Sequence, residues 1–211
     1  MRIKYYGQSC FGLTSANGTT IITDPYGSGI GLSVPELSAE IVTVSHGHFD
    51  HNNLSAVKAG FACFDKPGIF ENSGVSVEGF ASFHDDCRGK KRGANVIFCF
   101  VIDGLRICHL GDLGHVPDKK LLGAIGKPDV MMIPVGEVYT FSAEDAAETA
   151  KLIAPRVVIP MHYKLPGLKA GLNGPEKFLA LAGGGEKTGS DVFDIDESDD
   201  KNGIVVLEPK R

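Results

Sequence analysis

The feature that most constrains this chain is a repeated punctuation, in which short apolar runs stop at a histidine or an aspartate. Ile41-Val42-Thr43-Val44 leads directly into Ser45-His46-Gly47-His48-Phe49-Asp50-His51. Residues 75–83 lead into His84, residues 105–110 into Gly111-Asp112, and residues 157–159 into Pro160-Met161-His162. Runs of this length and composition suit buried strands. Each polar residue then stands where a strand would run out at a sheet edge, so positions far apart in sequence are expected to meet there. If the backbone stays extended through the motif, His46 and His48 share one face, because side chains alternate with period two. Both imidazoles can then converge on one cation, and Asp50 and His51, beyond a bend, can approach a second. Imidazole nitrogen and carboxylate oxygen are the usual non-thiolate ligands of zinc and related ions.

The surrounding sequence reads as sheet first and mixed sheet and helix later. Residues 2–6, 11–14, 19–23 and 95–102 have strand composition, and Asn17-Gly18 and Asp103-Gly104 are hairpin turns. Helices are expected over 118–125, over 142–153 and over 175–182. The second has Ser142 as N-cap and Pro155 beyond its end, and the third has Pro175 early and Gly183-Gly184-Gly185 after it. This order predicts an α/β fold with sheets at the centre and helices outside. With 211 residues, no internal repeat and no linker, one domain over 1–211 is expected.

Several function classes are disfavoured. The five cysteines, Cys10, Cys63, Cys87, Cys99 and Cys108, are odd in number and lack C-x-x-C spacing. That argues against a disulfide framework and a thiolate zinc site, and for reduced thiols in a cytoplasmic protein. The N-terminus lacks the apolar core of a signal peptide, and no run reaches the length of a membrane span. A net charge of -5 argues against nucleic acid as a partner. Arg88-Gly89-Lys90-Lys91-Arg92 is the only dense basic run, and it reads either as a solvated loop tip or as a clamp over an anionic substrate. Residues 194–201 read as an acidic solvated loop. Gly27-Ser28-Gly29-Ile30-Gly31 lacks dinucleotide-loop spacing, and 183–188 lacks the glycine that a phosphate loop needs before its lysine.

Taken together, Asp24 in Thr23-Asp24-Pro25, the His46-x-His48-x-Asp50-His51 motif, His84, Asp112 and His162 resemble the metallo-β-lactamase superfamily. The opening Tyr5-Tyr6-Gly7-Gln8-Ser9-Cys10-Phe11 and the later Pro134-Val135-Gly136-Glu137-Val138-Tyr139-Thr140 look most like its ascorbate-6-phosphate lactonase-like metal-dependent hydrolases. The chain departs from that pattern at Gln8 and at Glu137. The resemblance implies an αββα four-layer sandwich with two metals at one edge of the sheets. It implies His46, His48 and His84 on one metal, Asp50, His51 and His162 on the other, Asp112 between them, and Asp24 behind a ligand imidazole.

Such a centre implies a hydrolase. Two divalent ions against Asp50, Asp112 and one bridging hydroxide leave about +1 by formal count, which favours an anionic substrate. Metals about 3.5–4 Å apart can hold a nucleophilic hydroxide and polarise the scissile group together. Asp50 and Asp112 are the expected catalytic carboxylates, with Asp50 carrying a proton to the leaving group. Zinc suits the histidine-rich set, with manganese or iron as alternatives. The expected substrate is a small ester, lactone or phosphoester, with Tyr163, Lys164 and His115 as candidate contacts to it. His109 reads as packed beside the site. A nuclease or phosphodiesterase on the same scaffold is the alternative the net charge argues against. A diiron oxidoreductase is disfavoured by histidine at position 48, where such relatives carry a carboxylate. A homo-oligomer is left open.

Overall fold

The computed structural model describes residues 1–33 and 35–209. In chain order its strands are β1 (Arg2–Gly7), β2 (Cys10–Thr14), β3 (Thr20–Thr23), β4 (Ile41–Thr43), β5 (Ala62–Phe64), β6 (Gly68–Asn72) and β7 (Val75–Phe83). They continue with β8 (Ala94–Ile102), β9 (Leu105–His109), β10 (Val130–Pro134), β11 (Val157–Met161), β12 (Glu186–Lys187), β13 (Val192–Asp194) and β14 (Gly203–Val206). The helices are α1 (Lys119–Ile125), α2 (Ala143–Ile153) and α3 (Glu176–Leu181). The strands form two sheets, β13-β1-β2-β3-β4-β5 and β12-β14-β11-β10-β9-β8-β7-β6.

Each sheet starts as an antiparallel meander and continues parallel. The turns explain the first part: Asp103 and Gly104, at φ 50° and 76°, close the β8–β9 hairpin as an Asp-Gly pair should. Parallel pairing needs a crossover. In the second sheet those crossovers are α1, between β9 and β10, and α2, between β10 and β11. Asp118 and Ser142 cap the two helices, accepting hydrogen bonds from the N–H groups of Leu121 (2.8 Å) and Asp145 (3.1 Å). In the first sheet the crossovers from β3 to β4 and from β4 to β5 are irregular, with single 3₁₀ turns at Ser28–Ile30 and Leu54–Ala56. Alternation along the strands serves two cores. Phe11, Leu13, Ile21 and Ile41 face the second sheet, while Cys10, Ile22 and Val42 turn outward beneath Tyr26, Leu37 and Val57. The α/β sandwich therefore has helices on one flank and an ordered irregular layer on the other.

Strand β10 has no counterpart in the sequence reading. Its five residues are buried on both faces, so the run Val-Met-Met-Ile-Pro shows no alternation to read, and no metal-ligand type of residue marks its end.

The parallel pairings align strand ends. In the first sheet β1, β3 and β4 run the same way, and in the second so do β7, β9 and β11. Gln8, Asp24 and His46 follow the first three, and His84, Asp112 and His162 the second three. The chain must turn sharply at this edge, and Gln8, Asp24, Gly111 and His162 all take positive φ there. Gly111 is the tightest of these turns. A Cβ on it would lie 2.3 Å from Asn95 Oδ1 and 2.7 Å from Ser45 Cβ. Asn95 is fully buried, accepts from the Asp112 N–H (3.0 Å) and donates to the Leu110 carbonyl (3.0 Å), so it sets the turn that delivers Asp112. Gly111→Ala is expected to destabilise the protein by at least about 2 kcal/mol in urea unfolding, through the left-handed φ and the displaced amide. An unchanged unfolding midpoint would contradict this reading of the turn.

Candidate metal centre

The strand ends gather the motif residues around one carboxylate oxygen. Asp112 Oδ2 lies 3.1 Å from His162 Nε2, 3.2 Å from His84 Nε2, 3.3 Å from His51 Nε2 and 3.9 Å from His46 Nε2. Two groups of ligand atoms flank it, His46, His48 and His84 on one side and Asp50, His51 and His162 on the other, each set within 4.8 Å of one another. The rings of His46 and His84 are 4.7 Å apart and those of His51 and His162 5.6 Å. His48 is exposed and its ring meets His46 edge-on at 4.6 Å. The backbone here is not extended. It bends from Ser45 onward and turns so that the His51 N–H reaches the His48 carbonyl (3.0 Å). His46 and His48 converge because of that bend rather than by strand alternation.

Behind the imidazoles lies a fixed frame. Asp24 is fully buried, accepts from the Ser45 N–H (2.7 Å) and hydroxyl (2.5 Å), and pairs with His51 Nδ1 (2.9 Å). With Nδ1–H donating to Asp24, His51 turns Nε2 to the centre, a tautomer control typical of ligand histidines. Ser45 Oγ lies 2.9 Å from His46 Nδ1, and Nε2 of that ring is likewise left facing inward. Two residues outside the motif complete the frame. Gln8 Nε2 donates to Asp50 Oδ2 (2.8 Å), while its carbonyl accepts from the His162 N–H (2.8 Å). His109 Nε2 reaches the Ser9 carbonyl (2.8 Å), leaving Nδ1 to accept from the Gly111 N–H (3.2 Å). Burial lowers the His109 pKa, so a neutral ring props the turn. Gln8 follows a strand as the ligand-type residues do, which was the available signal; an amide is not a usual ligand, and its role becomes visible only in three dimensions.

The electrostatics are those of a site suited to cations. Burial drives the His46 pKa down to about 3, with the His51 charge adding to it. Burial opposes a charged His51 as well, yet Asp112, Asp24 and Asp50 outweigh it and hold that ring well above its usual range. Burial would raise Asp50, but the charge of His51, whose Nε2 lies 3.5 Å from Asp50 Oδ2, brings it to about 2. Asp112 stays well below the carboxylate range, the charges of His162 and His51 overriding its desolvation. His46 Nε2, His51 Nε2 and Asp112 Oδ1 are buried without a hydrogen-bond partner. Orphaned polar atoms at this density are costly unless something else completes them. A cation at the centre fits that need.

A cavity of about 510 Å³ opens on the cluster, with His48, Asp50, His84, Asp112 and His162 at its base. Three candidate substrate contacts lie elsewhere. The left-handed turn at His162 sends Tyr163 away from the cluster, where its hydroxyl donates to the Leu207 carbonyl (3.0 Å). Tyr163 and Lys164 line a separate, larger cavity of about 630 Å³ that contains none of the histidines. His115 packs against Phe83 and points Nδ1 at the Val116 carbonyl (3.0 Å). Glu137 is a strut: it accepts from the Ala143 N–H, from Asn173 Nδ2 (2.7 Å) and from Lys177 Nζ (2.9 Å). The basic run sits half in the site, with Lys91 and Arg92 lining the cavity.

Comparison with known proteins accords with this geometry. The family model "Beta-lactamase superfamily domain" matches residues 2–162, from β1 through the last histidine of the cluster. A protein described as a metal-dependent hydrolase from Thermoplasma acidophilum is 30% identical over 209 residues, covering 87% of this chain and 91% of its own. Another so described, from Methanosphaera stadtmanae, is 32% identical over 203 residues, covering 80% and 87%. A crystal structure from Thermotoga maritima, described as a candidate Zn-dependent hydrolase of the metallo-β-lactamase superfamily, superposes with a TM-score of 0.83 at 36% identity over 98% of both chains. The two sheets, the ordered motifs and these matches make this chain a member of the metallo-β-lactamase superfamily.

Proposed function

We propose that the protein is a hydrolase with two divalent metal ions, which cleaves a small anionic ester, lactone or phosphoester. The observation that carries this is the single oxygen Asp112 Oδ2, within 3.1–3.9 Å of one nitrogen from each of four histidines drawn from both ligand groups. Separations of this size are those between ligands that share a cation at about 2.0–2.2 Å. His46, His48 and His84 would hold one ion, Asp50, His51 and His162 the other, and Asp112 would join them. The descriptions of the relatives as metal-dependent hydrolases support the same reading. No helix of the described residues is long and apolar enough to cross a membrane, and a cytoplasmic location suits the free cysteines.

A bound pair of divalent ions supplies Lewis acidity and lowers the pKa of water to near neutrality. The protein's own residues do the rest. Asp24 and Ser45 fix the His51 and His46 rings. Gln8 holds the Asp50 carboxylate at the base of the cavity, where Asp50 is ionised at neutral pH and placed to take a proton from attacking water and deliver it to the leaving group. Burial of Asp112, His51, His84 and His162 keeps their orientation fixed as charge develops.

The metal content is the first test. The purified protein, reconstituted with zinc or manganese, is expected to bind about two ions and to lose ester or lactone hydrolysis on chelation. Asp112→Asn is expected to hold about one ion or fewer and to be inactive, as read by elemental analysis and turnover. Full metal content in Asp112→Asn would remove the bridge from the account. A second test uses protons. In the metal-free protein the raised His51 pKa keeps that ring charged through neutral pH, and coordination through Nε2 requires it neutral. Metal binding should therefore release protons, and affinity should climb with pH until the raised pKa is passed. Calorimetry at pH 7 in buffers of different ionisation enthalpy reads the number released, and zero release would show that His51 is not coordinated.

A further inference from the structure

We infer that the cavity carries an anion subsite of its own, built from Arg92 and Lys169 and separate from the histidine cluster, so that the substrate is an amphiphilic anion whose charged group lies away from the bond that is cut. This rests on the hydrolase reading only for the location of that bond.

The charges in the cavity are sorted. Its carboxylates, Asp50 and Asp112, both belong to the histidine cluster, while the other charged groups lining it are Lys91, Arg92 and Lys169. That is a cationic wall in a protein of net charge -5. Lys91 is partly neutralised by Asp86 at 3.2 Å. Arg92 is held differently: its guanidinium lies 5.7 Å from the Tyr139 ring centroid, and one Nη donates to the Val138 carbonyl (3.4 Å). Lys169 is placed by its backbone, whose N–H donates to the Ile30 carbonyl (2.9 Å). Among the described residues neither Arg92 nor Lys169 forms an ion pair, so the charge of both is available to a ligand. A forked guanidinium with unused donors is suited to a carboxylate or phosphate.

The backbone segments that carry both cations are fixed. Asp85, which follows His84, is buried and accepts from four backbone N–H groups, those of Cys87, Gly89, Lys91 and Arg92, at 2.7–2.9 Å. Those bonds fold the basic run into a fixed loop rather than a mobile tip. On the Lys169 side, the segment near Gly31 docks on Gly167, so closely that a Cβ on Gly31 would lie 2.3 Å from the Gly167 carbonyl. Much of the rest of the cavity wall is apolar. Ile30, Leu168 and Ala170 line it, together with Phe49, which is 70% exposed though it sits inside the ligand motif. An exposed aromatic beside a polar centre is a natural platform for the body of a substrate. A short aryl or acyl body fits that wall, with the anion at Arg92 and Lys169.

The test separates this subsite from the metals. Binding of 4-phenylbutyrate and of its uncharged analogue 4-phenylbutanol is measured by NMR titration, on zinc-loaded and metal-free protein. The acid is expected to bind at least about tenfold more tightly in both forms, the effect of one or two charge-assisted hydrogen bonds. The double variant Arg92→Gln, Lys169→Gln should lose that preference, and Lys90→Gln, outside the cavity, should keep it. Equal binding of acid and alcohol, a preference that survives in the double variant, or one present only with zinc bound would each overturn the inference. Turnover then links the subsite to hydrolysis. The kcat/KM for mono-4-nitrophenyl glutarate should exceed that for 4-nitrophenyl pentanoate, and the double variant should lower the first while sparing the second. If neither ester is cleaved while the phenylbutyrate preference holds, the subsite stands and the hydrolase reading falls.

Discussion

One carboxylate oxygen organises this protein. Asp112 Oδ2 lies within 3.1–3.9 Å of histidines that arrive from three separate segments, His46 and His51 from the motif after β4, His84 from the end of β7 and His162 from the end of β11. A buried carboxylate among imidazoles is tolerable only if its surroundings supply positive charge and fixed donors. The fold meets that condition by running β1, β3 and β4 in one sheet, and β7, β9 and β11 in the other, toward the same edge. The positive-φ turns at that edge, and the Asn95 and Asp24 frames behind it, follow from the need to stop six strands and aim their next residues inward.

Much of this was legible because the two kinds of signal coincide. An apolar run reports a buried strand, and a histidine or aspartate just after it reports where that strand stops. The runs before His46, His84, Asp112 and His162 all became strands, and Asp118 and Ser142 cap their helices as their residue types suggest. β10 escaped because a strand buried on both faces has no period, and Val135-Gly136, rather than a ligand-type residue, follows its end at Pro134. The flank of the first sheet, where the four-layer pattern leads one to expect helices, is built from turns among the described residues, since 24–40 is rich in glycine, serine and proline, 44–61 in histidine, asparagine, serine and glycine, and neither shows helical periodicity.

The substrate side was the least legible part, for a geometric reason. Tyr163 and Lys164 adjoin His162 in sequence, but a left-handed turn at His162 separates neighbours into different cavities. Lys169, five residues further from the histidine than Lys164, reaches the site because its backbone docks on Ile30, a contact between loops that no local pattern encodes. Arg92 lies in a segment whose sequence fitted a solvated tip as well as a clamp. The deciding element was Asp85, whose carboxylate folds that segment from within. Gln8 shows the same limit, since its amide gains meaning only from Asp50, 42 residues away in the chain.

The central claim is that two cations belong on either side of Asp112. Anomalous diffraction at the metal edge, from crystals of the reconstituted protein, tests it most directly. The account predicts two peaks about 3.5–4 Å apart that share the Asp112 carboxylate, one beside His46, His48 and His84 and the other beside Asp50, His51 and His162. A single peak, or peaks remote from Asp112, would contradict it.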